Sequence, residues 1–220
     1  MRKLINGLLQ LGLTAGVVIL LFVGFQTYVT DYFSDRQQEQ VADDLRDDWD
    51  QPSVPGRAQP DFGEGFAFLH IGALGADWSR AVVEGADLAE LAAGPGHYAG
   101  TAMPGEVGNF AVAGHRNGNG APFNDLDELQ PGDSVVVETV DTWFTYVVTS
   151  NEIVAPSDSA VILPVPGGSP SDEPTQAYLT LTTCDPEFTN ENRMIVHALL
   201  EKSVSKLDQP QGPALLAASE

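Results

Sequence analysis

The sequence predicts a mostly β domain, a closed antiparallel barrel or a sandwich, carried behind a single membrane-spanning helix. Three observations predict it. About eight short runs rich in β-branched and aromatic residues are separated by Gly/Pro turns, with little helical pattern between them. No charged side chain interrupts the chain between Lys3 and Asp31. The roughly 190 residues beyond that stretch suffice for one domain with a real core.

The N-terminus comes first. Leu8 to Val29 is mostly Leu, Val, Ile, Phe, Gly and Ala, and about 20 apolar residues cross a hydrocarbon core as a helix. Arg2 and Lys3 on one flank, with Asp31 and Asp35 on the other, orient that helix with its N-terminus in the cytoplasm. A cleaved signal peptide is the rival reading. The run is long for one, and no small-x-small site follows it. Residues 1–30 are therefore expected to be a cytoplasmic tip and anchor, in a plasma membrane, with everything later outside the cytoplasm.

Residues 31–62 read as an acidic stalk. Asp31 to Asp50 is polar, with scattered Val41, Leu45 and Trp49, and suits a short helix continuing from the membrane. Pro52, Pro55, Gly56 and Pro60 then mark a linker. Strand-like runs follow at Gly65–Ile71, Ala81–Glu84, Phe110–Ala113, Ser134–Thr139, Trp143–Thr149 (continued by Glu152–Val154), Ala177–Cys184 and Arg193–Glu201. Val140-Asp141-Thr142 turns the fourth into the fifth as a hairpin. Asp87–Ala93 suits a turn or two of helix, stopped by Gly94-Pro95-Gly96. The folded domain is expected over 63–201. Residues 202–220, weakly patterned and holding Pro210, Gly212 and Pro213, read as a disordered tail.

Charge excludes some partners. The part after residue 30 carries all 31 acidic side chains against 8 basic ones, a net of −23. Such a surface repels nucleic acid and anionic headgroups. It serves solubility, and no acidic loop has EF-hand spacing.

The chemistry centres on Cys184, the single cysteine of the chain. Outside the cytoplasm cysteines are normally paired, so a lone thiol is either inert and buried or functional. Thr180, Thr182 and Cys184 share one strand face, and Leu179 and Leu181 the other, which puts the thiol on the polar side. Arg193 lies nine positions on, and a hairpin-like loop can set it beside Cys184. His115 lies upstream within Ala113-Gly114-His115-Arg116. A cation favours the thiolate, an imidazole moves the proton, and a guanidinium can meet an oxyanion.

Those residues carry a family resemblance. Leu181-Thr182-Thr183-Cys184 with Arg193, and Gly114-His115 upstream, resemble a sortase. Gly94-Pro95-Gly96-His97-Tyr98, Thr101-Ala102-Met103-Pro104-Gly105-Glu106, Gly108-Asn109-Phe110 and Pro122 to Leu129 resemble the class E sortases of actinobacteria. The likeness covers about residues 64–200. It implies an eight-stranded β-barrel and a membrane-anchored cysteine transpeptidase without a cofactor. Its partners would be secreted proteins with a C-terminal LPXTG or LAXTG sorting signal, and a peptidoglycan precursor amine as acceptor. Cys184 would form the thioester, Arg193 would steady the oxyanion, and His115 would serve as acid and base. A pilus-building enzyme would use a pilin lysine instead, but no aromatic lid of that kind is seen in the stalk.

Other residues have weaker claims. Asn119 stands where class E members often carry the tyrosine of a Tyr-Gly linked to preference for Ala, so the second residue of the motif stays open. Thr183 either contacts substrate or fills a β position, and His97 either lines the groove or serves its turn. His70 and His197 sit in apolar strands and read as packing residues. A zinc site at Cys184 lacks any close ligand pair. Besides the transpeptidase, an inactive peptide-binding barrel and a cysteine hydrolase fit the same residues.

Overall fold

The computed structural model describes residues 2–25, 30–50 and 60–213. The linker expected over 51–59 and the last seven residues of the expected tail lie outside the described residues. Two long helices open the chain, α1 (Arg2–Gly24) and α2 (Thr30–Asp50). Ile5–Phe22 within α1 is long and apolar enough to cross a membrane, and its side chains are exposed rather than packed on the protein.

Eight strands follow: β1 (Gly65–His70), β2 (Ser79–Glu84), β3 (Gly96–His97), β4 (Gly108–Ala113), β5 (Ser134–Glu138), β6 (Thr142–Val154), β7 (Ala177–Asp185) and β8 (Asn192–Ser205). They close into a barrel in the order β1-β2-β3-β4-β7-β8-β6-β5. The expected all-antiparallel arrangement gives way at two junctions, β2–β3 and β4–β7. Between β2 and β3 the short helix α3 (Leu88–Leu91) carries the chain back to the same end. Between β4 and β7 the chain leaves to build the β5–β6 hairpin and a long loop before returning. The two-residue β3 was missed because glycine and proline around it read as a turn. It exists because His97 pairs with both Glu84 and Val112.

Alternation along the strands fills the barrel. Leu179 and Leu181 of β7 point inward with Val196 and Ala198 of β8, all buried in one cluster with Phe110 and Tyr146. The opposite, polar face of β7 is not open as expected. Thr180 and Thr182 are also buried. Asn109 Nδ2 donates to the carbonyls of Val161 and Leu163 and so ties the β6–β7 loop over that face. On that face Tyr178 at one end of the strand and Cys184 at the other emerge half-buried.

Both ends of the chain differ from the sequence reading. Helix α2 is docked along its length. Leu45 packs against Phe68 and Ala81, Trp49 meets Phe68 edge-on at 5.4 Å, and a Cβ on Gly65 would strike Val41. At the other end β8 runs to Ser205, four residues into the expected tail, because β6 pairs with it as far as Thr142↔Ser205. Lys206 then ion-pairs with Glu138 at 2.8 Å and lies 4.0 Å over the Trp49 ring.

Tyr146 couples the core to the loop before β4. Its hydroxyl accepts the Gly105 N–H at 2.7 Å, and burial pushes its pKa up to about 12. Gly105 itself sits at φ +81° with the Phe144 ring where a Cβ would be. Tyr146→Phe leaves that N–H without its acceptor. We expect a loss of roughly 1–3 kcal/mol, read as a lower thermal midpoint; an unchanged midpoint would show that the bond adds nothing net.

Candidate active site

Three strand ends converge at one rim of the barrel. Cys184 and Arg193 are direct cross-strand partners of β7 and β8, so their side chains leave the sheet on the same face. Arg193 Nη1 donates to the carbonyls of Asn192 at 2.9 Å and Asn190 at 3.3 Å. Among the described residues no carboxylate pairs with Arg193, so its charge is available to an anion.

His115 is brought alongside by the parallel β4–β7 junction. Ala113 pairs with Thr182, and the Gly114 N–H then donates to the Thr182 carbonyl at 3.0 Å. Thr183 Oγ1 donates to the Gly114 carbonyl at 2.8 Å. Gly114 is glycine for a steric reason: a Cβ would lie 2.4 Å from the ring of Phe123, which is buried in the core cluster. On the far side of His115, Arg116 is buried at 5% exposure. Its Nη1 donates to Asp185 Oδ1 and its Nη2 reaches Asp127 Oδ1, both at 3.0 Å. His115 is therefore bracketed by residues bonded to either side of Cys184.

The electrostatics follow from this placement. Burial disfavours the imidazolium, so the His115 pKa lies below its ordinary 6.5. Asn119 Nδ2 lies 3.1 Å from His115 Nε2. An amide N–H needs a lone pair to meet, so this contact belongs to the neutral ring with its proton on Nδ1.

The six residues singled out from sequence thus separate. His115, Cys184 and Arg193 come together. Asn119 joins them, but against His115. Thr183 is 3% exposed and fastens β7 to the His115 segment, so it presents no surface to a substrate. Of the two readings left open for His97, the structure agrees with the role in its turn. His97 is 1% exposed, with Nδ1 2.6 Å from Glu84 and Nε2 2.8 Å from Thr101 Oγ1, and it braces the β3–β4 loop instead of lining a groove. Sequence reasoning assigned Arg116 no role and passed over Asp185. Each directly follows a site residue with opposite charge, and that was the available signal. It also passed over Tyr98, whose hydroxyl is 3.0 Å from Thr182 Oγ1 on the face that bears Cys184.

A closed barrel with a reachable thiol opposite an unpaired guanidinium, and an imidazole alongside, defines a class of enzymes that work through one cysteine. Comparison with known proteins is specific. Residues 69–201 match the sortase domain. Over 196 residues the chain is 42% identical to sortase SrtE1 of Streptomyces coelicolor, covering 85% of this chain but only 54% of that protein. Over 218 residues it is 34% identical to sortase SrtE2 of the same organism, covering 93% and 84%. The SrtF sortase from Corynebacterium diphtheriae superposes with a TM-score of 0.70 at 36% identity, over 76% of this chain and 98% of that one. The chain belongs to the sortase family, and its relatives include the class E sortases of Streptomyces.

Two measurements test this geometry. As pH falls through 6.5 the unfolded chain takes up a proton at position 115 before the folded one does. Stability linked to neutral His115 is therefore full above that pH and is lost on acidification below it. NMR titration of the His115 ring should give a midpoint below 6.5; a midpoint above it would mean that a neighbouring carboxylate, not burial, governs the ring. Arg116→Ala strands Asp185 beside the thiol, and a cost of roughly 3 kcal/mol is expected. Thermal unfolding that matches wild type would show the bracket to be dispensable.

Proposed function

We propose that this sortase is a membrane-anchored transpeptidase. It cuts an LAXTG or LPXTG sorting signal between Thr and Gly and passes the protein to a cell-wall precursor amine. The observation that carries the reading is the Cys184–Arg193 cross-strand pair with His115 bracketed beside it. Family membership supports it.

The steps use these side chains. Cys184 gives its proton to His115, and its sulfur bonds to the threonine carbonyl carbon. Arg193 meets the oxyanion that develops. As the C–N bond to glycine breaks, the His115 proton goes to the departing amine, leaving a thioester. The acceptor amine then attacks the thioester and surrenders a proton to His115, which returns it to the leaving thiolate. Tyr98, on the face of Cys184, is placed to meet the peptide.

In this reading α1 spans the plasma membrane with its N-terminus in the cytoplasm, and the barrel works outside. The acceptor amine is that of a peptidoglycan precursor, as in a housekeeping enzyme.

The test is product mass. The full chain in detergent is incubated with LAXTG and LPXTG peptides, with and without a glycine-type amine. Cleavage between Thr and Gly, diverted to an amide by the amine, is expected. Cys184→Ala should abolish it, and Arg193→Ala should slow it by about 10²–10³-fold. Cleavage to the free acid alone would make the protein a hydrolase. A folded protein that binds both peptides and cuts neither would be a binding barrel.

A further inference from the structure

We infer that the juxtamembrane helix α2 is a positioning element of the active site: it clamps a left-handed loop, residues 118–121, in the conformation that aims the Asn119 carboxamide at His115. The inference rests on the proposed role of His115 and adds a part to it.

The loop is unusual in its backbone. Four consecutive residues have positive φ: Gly118 at 64°, Asn119 at 51°, Gly120 at 70° and Ala121 at 37°. Glycine takes this region freely and asparagine tolerates it, but alanine does not. Such a backbone persists only where its surroundings over-determine it. From within, the Ala121 N–H donates to the Gly118 carbonyl at 2.9 Å, and the Phe123 N–H to the His115 carbonyl at 3.0 Å.

From outside, the surroundings are α2. A Cβ on Gly120 would lie 3.3 Å from Asp35 Oδ1 and 3.6 Å from Ser34 Cβ. Ser34 is buried at 7% exposure although Phe33 and Asp35 beside it are exposed. The gap left between Ser34, Gln38, Asn119 and Gly120 is about 10 Å³, space for about one water centre. One turn further along, Gln38 fixes the helix. Its Oε1 accepts the Ala81 N–H and its Nε2 donates to the Ala93 carbonyl. The clamp and the loop contact are thus on one helix face, three to four residues apart.

The aim of Asn119 matters for a base that must take and return a proton. Its Nδ2 meets the lone pair of neutral Nε2 at 3.1 Å. Rotated by half a turn, the same carboxamide would offer Oδ1 to a protonated Nε2–H. With Nδ1 already protonated, Nε2 is also the nitrogen that takes the Cys184 proton, so Asn119 orients the ring at the exchanging nitrogen and turns as that proton arrives. Asn119 touches neither Cys184 nor the scissile bond in this scheme. It is a positioning residue, and α2 positions it in turn.

The experiment uses the full chain in detergent, wild type and with Asn119→Ala, Gln38→Ala and both together. Two readouts are taken: kcat and KM for the better cleaved sorting peptide, and ¹⁵N NMR of the His115 ring. Wild type should show a single tautomer with the proton on Nδ1. Asn119→Ala should mix the tautomers and lower kcat by about tenfold or more, with KM changed less than about twofold. Gln38→Ala should move both readouts in the same direction, and the double variant should be no worse than Asn119→Ala alone. Gln38→Glu, which keeps the acceptor for Ala81 and loses the donor, serves if Gln38→Ala does not fold. Gln38 variants that fold but leave the tautomer and kcat unchanged would overturn the inference, as would losses that simply multiply. Should wild type cleave neither peptide, the transpeptidase reading fails, and the NMR readout alone decides whether α2 and Asn119 govern the ring.

Discussion

The ion pair between Arg116 and Asp185 brings together two stretches of chain separated by 69 positions. A guanidinium at the barrel rim gives up water at considerable cost, and the second carboxylate, Asp127, helps offset it. Because Arg116 follows His115 and Asp185 follows Cys184, the bond cannot form without bringing imidazole and thiol to the same rim. Thr183 repeats the fastening one residue inward, on the Gly114 carbonyl. The parallel β4–β7 junction supplies the register, and these two bonds secure its open end.

Much of this was legible in the residues. The strand runs were found because β6, β7 and β8 are long, β-branched and bounded by turns. Their inward faces, such as Leu179 and Leu181, followed from simple alternation. The Cys184–Arg193 pairing was legible because a short loop between two good strands leaves few other registers. What was not legible was tertiary in origin. β3 is two residues long and owes its existence to neighbours on both sides, which no local pattern reveals. Its glycine-rich surroundings left His97 open between a groove and a turn role, because its environment is set by Glu84, thirteen positions away.

Helix α2 was partly legible and under-read. Val41, Leu45 and Trp49 recur every four residues, the spacing of one helix face. The acidic residues around them masked the stripe and suggested a solvated stalk. Those acids occupy the outward face, while the apolar stripe lies on β1 and β2. Lys206, after the last strand, covers Trp49 from the other side. The helix is thereby held by both ends of the barrel sequence, and the catalytic unit is larger than the matched domain.

The direct opposition of Cys184 and Arg193 has a consequence for how such proteins diversify. Their separation in space is set by one rung of the β7–β8 ladder, while the residues between them, 186–191, are largely exposed. Length and composition of that tip can drift without moving either functional group. The exposed Phe188 at its apex sits at φ 61°, a conformation that glycine or asparagine would hold more easily. Lineages can rewrite what the tip greets at the rim while inheriting the reactive pair unchanged.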